Sequence, residues 1–419
     1  MKRYDNLYER ICSIENLRLA EKRARKGKEG TYGVKVFDRD AERNLWRLHD
    51  TLMARGYRTS EYSIFRVHEP KERVIYRLPF YPDRIMHHAI MNVMEEIWTS
   101  VFTHNTYSCI KGRGIEACRK RVRRVIDEHK DKRLYCLKID IRKFYPSIKH
   151  RVLKRIVRRK IKDEDTLRLI DEIIDSVNMD SEGKPLRTAA GDGDEQGVPI
   201  GNYLSQYLAN LTLCYVMHWA NERMAEEIRV ELRLKRKPWI ESAEYADDIV
   251  FMAESKEVLR AVMRGLRQKI EGELELRIKD NWQVFPIARN RRDCSGRGLD
   301  YVGYVFYMEH TMMRKSIKKN LMRHVARLRR SGRRLTEREY RMEIAPWYGW
   351  AVHSDSRILM LNVEGGVLNG CALRNVECSN VEFFILHSTS ACRPFHIPHP
   401  TFHIARSASA ASALSTAIV

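Results

Sequence analysis

The 419-residue sequence has no C-x-x-C pair, no apolar opening segment of signal-peptide type and no apolar run long enough to cross a bilayer. The first absence argues against zinc ribbons and thioredoxin-like redox centres. The others leave nothing that directs the chain out of the cytoplasm or into a membrane, so a cytoplasmic protein is expected. Its nine cysteines (Cys12, Cys109, Cys118, Cys136, Cys214, Cys294, Cys371, Cys378, Cys392) are odd in number and scattered, which fits reduced thiols and not a disulfide framework. Solenoid-type internal repeats are also missing. Acidic residues are in deficit: 55 Asp and Glu stand against 77 Lys and Arg, leaving a net charge of +22.

That imbalance, in a chain that is 43% hydrophobic and 9% aromatic, describes a globular protein of two or three subdomains with a polyanionic partner. The basic residues run through the whole of residues 1–360 and are not gathered on one amphipathic helix, which favours a nucleic-acid backbone over a membrane surface. The last 59 residues differ in kind. They hold three Arg, three Glu and no Lys or Asp, and end in the low-complexity run ARSASAASALSTAIV.

Apolar spacing predicts a basic amphipathic helix over 5–27 (Leu7, Ile11, Ile14, Leu17) and a second helix over 40–55. Alternation over 62–80 predicts a hairpin with Pro70 near its turn, exposing Arg66, Lys71, Arg73 and Arg77. Helices are expected over 83–98, 115–129, 149–160, the long segment that begins GNYLSQYLANL, 256–270 and 315–330. Strands are expected at RLYCLKIDI (133–141), over the hairpin 241–253, and at LELRIK and YVGYVFYM. The pair His87 and His88 shares no helix face, and His396, His399 and His403 lack a framing cysteine pair, so neither set reads as a metal site. Trp347, Tyr348 and Trp350 read as core in preference to a base-stacking platform.

Two strands deliver carboxylates. Asp140 ends the first, and EYADDIVF places Asp247 and Asp248 in a hairpin turn 107 residues later. Asp is ordinary turn chemistry. Brought together on one sheet, however, three carboxylates suit a hard divalent cation such as Mg²⁺, and two ions about 3.5–4 Å apart clamp the oxygens of a phosphoryl transfer.

With LKIDIRKFYPSI, GVPIGNYLSQYLANL and YADD in this order, the chain resembles reverse transcriptases in their motifs A, B and C. The resemblance runs from about residue 60 to residue 357. It takes in fingers-type basic segments (PKERVIYRLPF, NTYSCIKGRGI), a motif D-like RIKDNWQVFPI and a motif E-like GLDYVGYVFY. It implies an α+β right-hand polymerase: an N-terminal basic helical segment (1–60), fingers and a palm of antiparallel sheet and helices (61–290), a motif E-like region with a helical thumb (291–360), and a tail (361–419). Where group II intron and retron enzymes typically carry Q-G-x-x-x-S-P, this chain reads Ile200-Gly201-Asn202-Tyr203-Leu204-Ser205-Gln206. An apolar residue before the Gly, followed by S-Q, resembles the enzymes of diversity-generating retroelements. Those enzymes copy a template-repeat RNA with errors opposite adenines, and the cDNA replaces a variable repeat.

The resemblance further implies that Asp140 and Asp247 are ligands of two Mg²⁺ ions, for which Mn²⁺ can substitute, with Asp248 beside them and Ile141 lending its carbonyl. Lys279 falls where a lysine protonates pyrophosphate. Tyr145 matches the residue that excludes a ribose 2′-hydroxyl. Lys71, Arg73 and Arg77 match positions that hold the triphosphate, and Ile200, Gly201 and Gln206 line the nascent base pair. Expected partners are template RNA, cDNA, dNTPs and a small basic accessory protein. A retron, group II-like or phage-defence reverse transcriptase would share the catalytic residues. A non-catalytic RNA-binding protein of the same fold would not need the acidic cluster.

Overall fold

Four helices take up the first 60 residues: α1 (Tyr8–Cys12), α2 (Ile14–Arg25), α3 (Tyr32–Phe37) and α4 (Ala41–Met53). The computed structural model describes residues 2–68, 72–180, 182–186, 194–331 and 336–356. Lys71, the tail over 361–419 and its histidines lie outside the described residues. The single helix expected over 5–27 is divided at Ser13, whose extended backbone breaks the first run and whose hydroxyl caps α2 by accepting from the Asn16 N–H. Leu7, Ile11, Ile14 and Leu17 are all buried, so the stripe is a packing face. Asp163 secures it: one carboxylate oxygen accepts from the N–H groups of Leu7 (2.6 Å) and Tyr8 (2.9 Å).

The strands β1 (Ser63–Val67) and β2 (Arg73–Arg77) form the expected antiparallel hairpin, with Ser63 opposite Arg77 and Val67 opposite Arg73. Then come α5 (Ile85–Thr99), α6 (Ile115–Glu128), β3 (Tyr135–Asp140), the one-turn α7 (Phe144–Ser147), α8 (His150–Val157) and α9 (Glu164–Asp175). The long helix expected at motif B is two, α10 (Tyr203–Glu222) and α11 (Met224–Glu231), parted at Arg223. After them stand β4 (Ile240–Tyr245), β5 (Asp248–Ala253), α12 (Lys256–Glu273) and β6 (Gln283–Pro286).

The chain divides into two compact units, the first containing residues 2–118 and 135–284. Its centre is a four-stranded sheet in the order β4–β5–β3–β6, in which β5 runs antiparallel to both neighbours. Ile249 to Ala253 of β5 are all buried, as a central strand covered on both faces requires. Helix α10 is buried along most of its length, and α5, α8 and α12 pack around it. Each fully buried Phe or Leu there contributes about 1.5–3 kcal/mol. The LELRIK strand is reduced to a bridge between Ile278 and Ile141.

The second unit comprises, among the described residues, 119–134 and those between 285 and 356. The expected strand YVGYVFYM is a tight hairpin, β7 (Leu299–Tyr301) and β8 (Tyr304–Phe306), extended by β9 (Thr311–Met313). Val302 and Gly303 both have positive φ, the turn that matches strand twist. A Cβ at Gly303 would fall 2.3 Å from Trp350, so only Gly fits. Helices α13 (Lys315–Arg330) and α14 (Glu337–Val352) enclose Met313, Leu321, Val325, Ile344 and Ala351. Trp347 and Trp350 pack on this core, and Tyr348 is exposed. Among the described residues no helix is long and apolar enough to cross a membrane.

Candidate active site

Sheet register brings the acidic residues together. Asp140, the last residue of β3, lies directly opposite Asp248, the first of β5. Tyr245 pairs with Asp248 on the other side, leaving Ala246 and Asp247 as the two turn residues. Ala246 takes the left-handed φ of 54° that such a turn demands at its first central position, at a cost of about 1–2 kcal/mol for a residue with a Cβ. The fold therefore holds three carboxylates at one end of the sheet, although like charges directly opposite are destabilising.

Two lysines moderate that repulsion. Lys279 Nζ donates to Asp140 Oδ2 at 2.5 Å, and Lys138 Nζ lies 3.1 Å from the Asp248 carboxylate. Lys279 is held by its backbone, whose N–H donates to the Asp140 carbonyl at 2.9 Å, while the Arg142 N–H donates to Arg277 at 2.8 Å. These two bonds flank Ile141, so neither Arg277 nor Lys279 takes the Ile141 carbonyl. The other carboxylate oxygen of Asp140, Oδ1, is buried and has no hydrogen-bond partner among the described residues. Burial, and then the Asp140 charge, raise the pKa of Asp247; Asp248 adds to the rise, while the Asp247 backbone N–H and Lys279 oppose it. A buried carboxylate oxygen without a donor, beside a second carboxyl raised by its neighbour's charge, fits a divalent cation. Among the described residues no three metal-ligating side chains converge into a ready-made cage. The lysines stand against Asp140 and Asp248 instead.

Lys143 adopts φ 47° and starts the one-turn α7, which brings Tyr145 back toward the carboxylates. Its phenol is kept protonated by burial first, then by Cys109, Asp247 and Tyr245, with Arg73 opposing. Tyr145 thus lies within electrostatic reach of both Asp247 of the hairpin turn and Arg73 of β2. Tyr145→Ala should raise ribonucleotide incorporation about 10–100-fold relative to deoxyribonucleotide, read as the ratio of kcat/KM values in primer extension.

The motif B loop is fastened to the same strand. The Tyr76 N–H donates to the Ile200 carbonyl at 2.9 Å, and Asn202 Nδ2 donates to the Tyr76 carbonyl at 3.2 Å. Gly201, at φ 109°, allows this approach: a Cβ would lie 3.0 Å from Ile75. Ile200 and Gln206 are half-buried. Arg73 and Arg77 are exposed at the two ends of β2.

Two residues escaped the sequence reading. Lys138 stands two positions before Asp140, and the strand period alone puts both on one face. Glu244, three residues before Asp247, is fully buried; Thr106 Oγ1 donates to it at 2.8 Å, and burial pushes its carboxyl up to about 8. A charge in the strand before YADD was its only signal.

The sequence model of the family described as reverse transcriptase (RNA-dependent DNA polymerase) matches residues 68–285. Protein YkfC of Escherichia coli (strain K12) is 25% identical over 280 residues, covering 62% of this chain and 69% of YkfC. Among solved structures, apo telomerase from Candida Tropicalis aligns with a TM-score of 0.41 at 10% identity over 75% of this chain and 62% of that one. The same telomerase truncated from its C-terminal domain gives 0.40 at 11% identity, over 61% and 54%. The chain spans less than two thirds of either telomerase chain.

Proposed function

The chain belongs to the reverse transcriptase (RNA-dependent DNA polymerase) family, and on that premise we propose that it copies a template RNA into adenine-mutagenised cDNA as the enzyme of a diversity-generating retroelement. Its fold is the α+β right-hand polymerase, with an antiparallel sheet carrying the acidic residues. The observation that carries the catalytic reading is the register: Asp140 opposite Asp248, with Asp247 at the adjoining turn.

Asp140, through its donor-free Oδ1, and Asp247 would hold the divalent cations, with the Ile141 carbonyl and Asp248 beside them. When bound, Mg²⁺ or Mn²⁺ supplies charge stabilisation to the attacking and leaving oxygens of nucleotidyl transfer. The chain's own groups do the rest. Arg73 and Arg77 meet the triphosphate, with Lys71 assisting. Tyr145 closes the space beside the sugar, and its protonated phenol offers no anionic repulsion to the substrate. Lys279, released from Asp140, stands ready to protonate departing pyrophosphate.

The subgroup rests on position 200. An apolar side chain where relatives carry Gln removes a polar restraint on the templating region. One hydrogen-bonding restraint of about 1–2 kcal/mol corresponds to roughly 5- to 30-fold in misincorporation. The adenine preference and the accessory protein come from the family resemblance. Sequencing cDNA made on a defined RNA should show errors concentrated opposite template adenines and reduced about 5- to 30-fold in Ile200→Gln. Equal error rates at all four bases, unaltered in the variant, would leave a reverse transcriptase of another group.

A further inference from the structure

Between Tyr145, the residue placed beside the sugar in the proposed reaction, and the motif B loop, two backbone segments lie antiparallel. The Val198 N–H donates to the Tyr145 carbonyl at 2.9 Å, the Gly197 N–H to the Ile148 carbonyl at 2.9 Å and the His150 N–H to the Glu195 carbonyl at 3.0 Å, with Lys149 bridged to Gln196. On the far side the Met179 N–H donates to the Gln196 carbonyl at 2.9 Å. Two residues beyond Val198 stands Ile200, whose carbonyl is tied to β2.

One group in this ladder is closed by a side chain. His150, the first residue of α8, brings Nε2 to 2.9 Å from the Gly197 carbonyl, and among the described residues no other donor reaches that oxygen. A carbonyl only accepts, so Nε2 carries the proton. His150 is 2% exposed, and Gly197, Val198 and Pro199 are buried. The contact is therefore made away from solvent, where a carbonyl left unpaired costs most.

The ring is oriented from its other edge. Nδ1 lies 3.2 Å from Asp175 Oδ1, near enough for an ion pair though not aligned as a hydrogen bond. Asp175 ends α9, where a carboxylate opposes the helix dipole. Lys154 of α8 pairs with its second oxygen. Burial works against ionisation of Asp175, but His150 and Lys154 together hold its carboxyl below the usual value. Buried imidazole nitrogens need partners in any protein. What is particular here is the partner chosen, a carbonyl one residue from the N–H that holds Tyr145.

We propose that His150 is a positioning residue for substrate selection: its Nε2–H latches the Gly197 carbonyl, fixing the approach to motif B against the Tyr145 turn, so that the space beside the incoming sugar keeps its shape. The inference rests on the polymerase reading. It is tested with the full chain and two variants. The amide nitrogen of Asn falls where His carries Nδ1 and that of Gln where His carries Nε2, so His150→Gln keeps a donor for the Gly197 carbonyl and His150→Asn does not. In the substrate-free protein, His150→Asn should speed hydrogen exchange at the Gly197 and Val198 amides about 10-fold, and His150→Gln should stay within about twofold of the wild type. In primer extension on RNA, His150→Asn should raise the KM for dNTP about 5- to 10-fold with kcat within about twofold. It should also raise ribonucleotide over deoxyribonucleotide incorporation about fivefold, read as the ratio of kcat/KM values. His150→Gln should restore both.

Equal losses in the Asn and Gln variants would overturn the latch. So would a lowered kcat with unchanged sugar selection, which is what general loosening of the core produces, and so would unchanged exchange at 197 and 198. Should His150→Asn fail to fold, Asp175→Asn leaves the imidazole in place but removes the group that orients it. That variant should raise the KM and the sugar ratio about threefold, the size of a half-exposed ion pair, and no change in either would overturn the proposal. The stated exchange pattern in a protein that extends no primer would defeat the polymerase reading and leave the latch standing.

Discussion

Asp247→Ala should lower primer extension on RNA by at least about 10³-fold, equivalent to about 4 kcal/mol of transition-state stabilisation, and leave RNA affinity within about threefold. The loss is catalytic because Asp247 sits at the turn beside the buried, donor-free oxygen of Asp140, where divalent cations fit. Binding survives because the excess of 22 positive charges is spread over the chain and not concentrated at the hairpin. Stability should move the other way. Asp247 carries a pKa raised by burial and by Asp140, so its truncation removes a repulsion that the native state tolerates for function. An extension assay, a filter-binding titration and a melting curve on the same preparations check all three. Undiminished extension by an Asp247→Ala/Asp248→Ala double variant would end the catalytic assignment.

The second large effect belongs to Glu244 and depends on pH. Its carboxyl titrates near the ordinary 4.5 in the unfolded chain and is pushed up to about 8 in the folded one, by burial that the Thr106 hydroxyl only partly offsets. Between those values the native state binds the extra proton, so stability falls as pH rises from about 4.5 to about 8 and the loss is complete above that. A shift of this size corresponds to about 5 kcal/mol as an upper bound, because local opening can hydrate the group at lower cost. Glu244→Gln carries no charge at any pH. Its urea midpoint should match the wild type near pH 5 and exceed it near pH 8.5, and parallel pH profiles for the two proteins would refute the assignment. The site is close to the chemistry: the Glu244 N–H and C=O bond to Asn105 and Tyr107, three residues before Asp247.

Much of this architecture is legible in the residues themselves. The β-branched and aromatic runs at 133–141 and 241–253 become β3, β4 and β5, and the Asp residues fall at strand ends and in the turn, where Asp is tolerated. The alternation over 62–80 yields the basic hairpin. What pattern does not supply is which long-range partner a segment meets. Nothing local distinguishes Lys279, which reaches Asp140, from any solvated lysine, and LELRIK has strand composition but finds only one bridge, at Ile278. Periodicity over 5–27 marks the buried face correctly but not the break at Ser13, which a side-chain cap imposes. Glu244 is unreadable for another reason: its burial is decided by the 105–107 segment that runs along β4.

The tie between β2 and the motif B loop uses the Ile200 carbonyl and the Tyr76 N–H, groups that every residue except proline possesses in full. The side chain at 200 can therefore be exchanged without loosening the strand from the loop. Substitution is in that sense modular here: position 200 is open to side chains of different polarity without cost to the strand–loop tie, while Gly201, which must stay at φ 109° against Ile75, is closed to the same exploration.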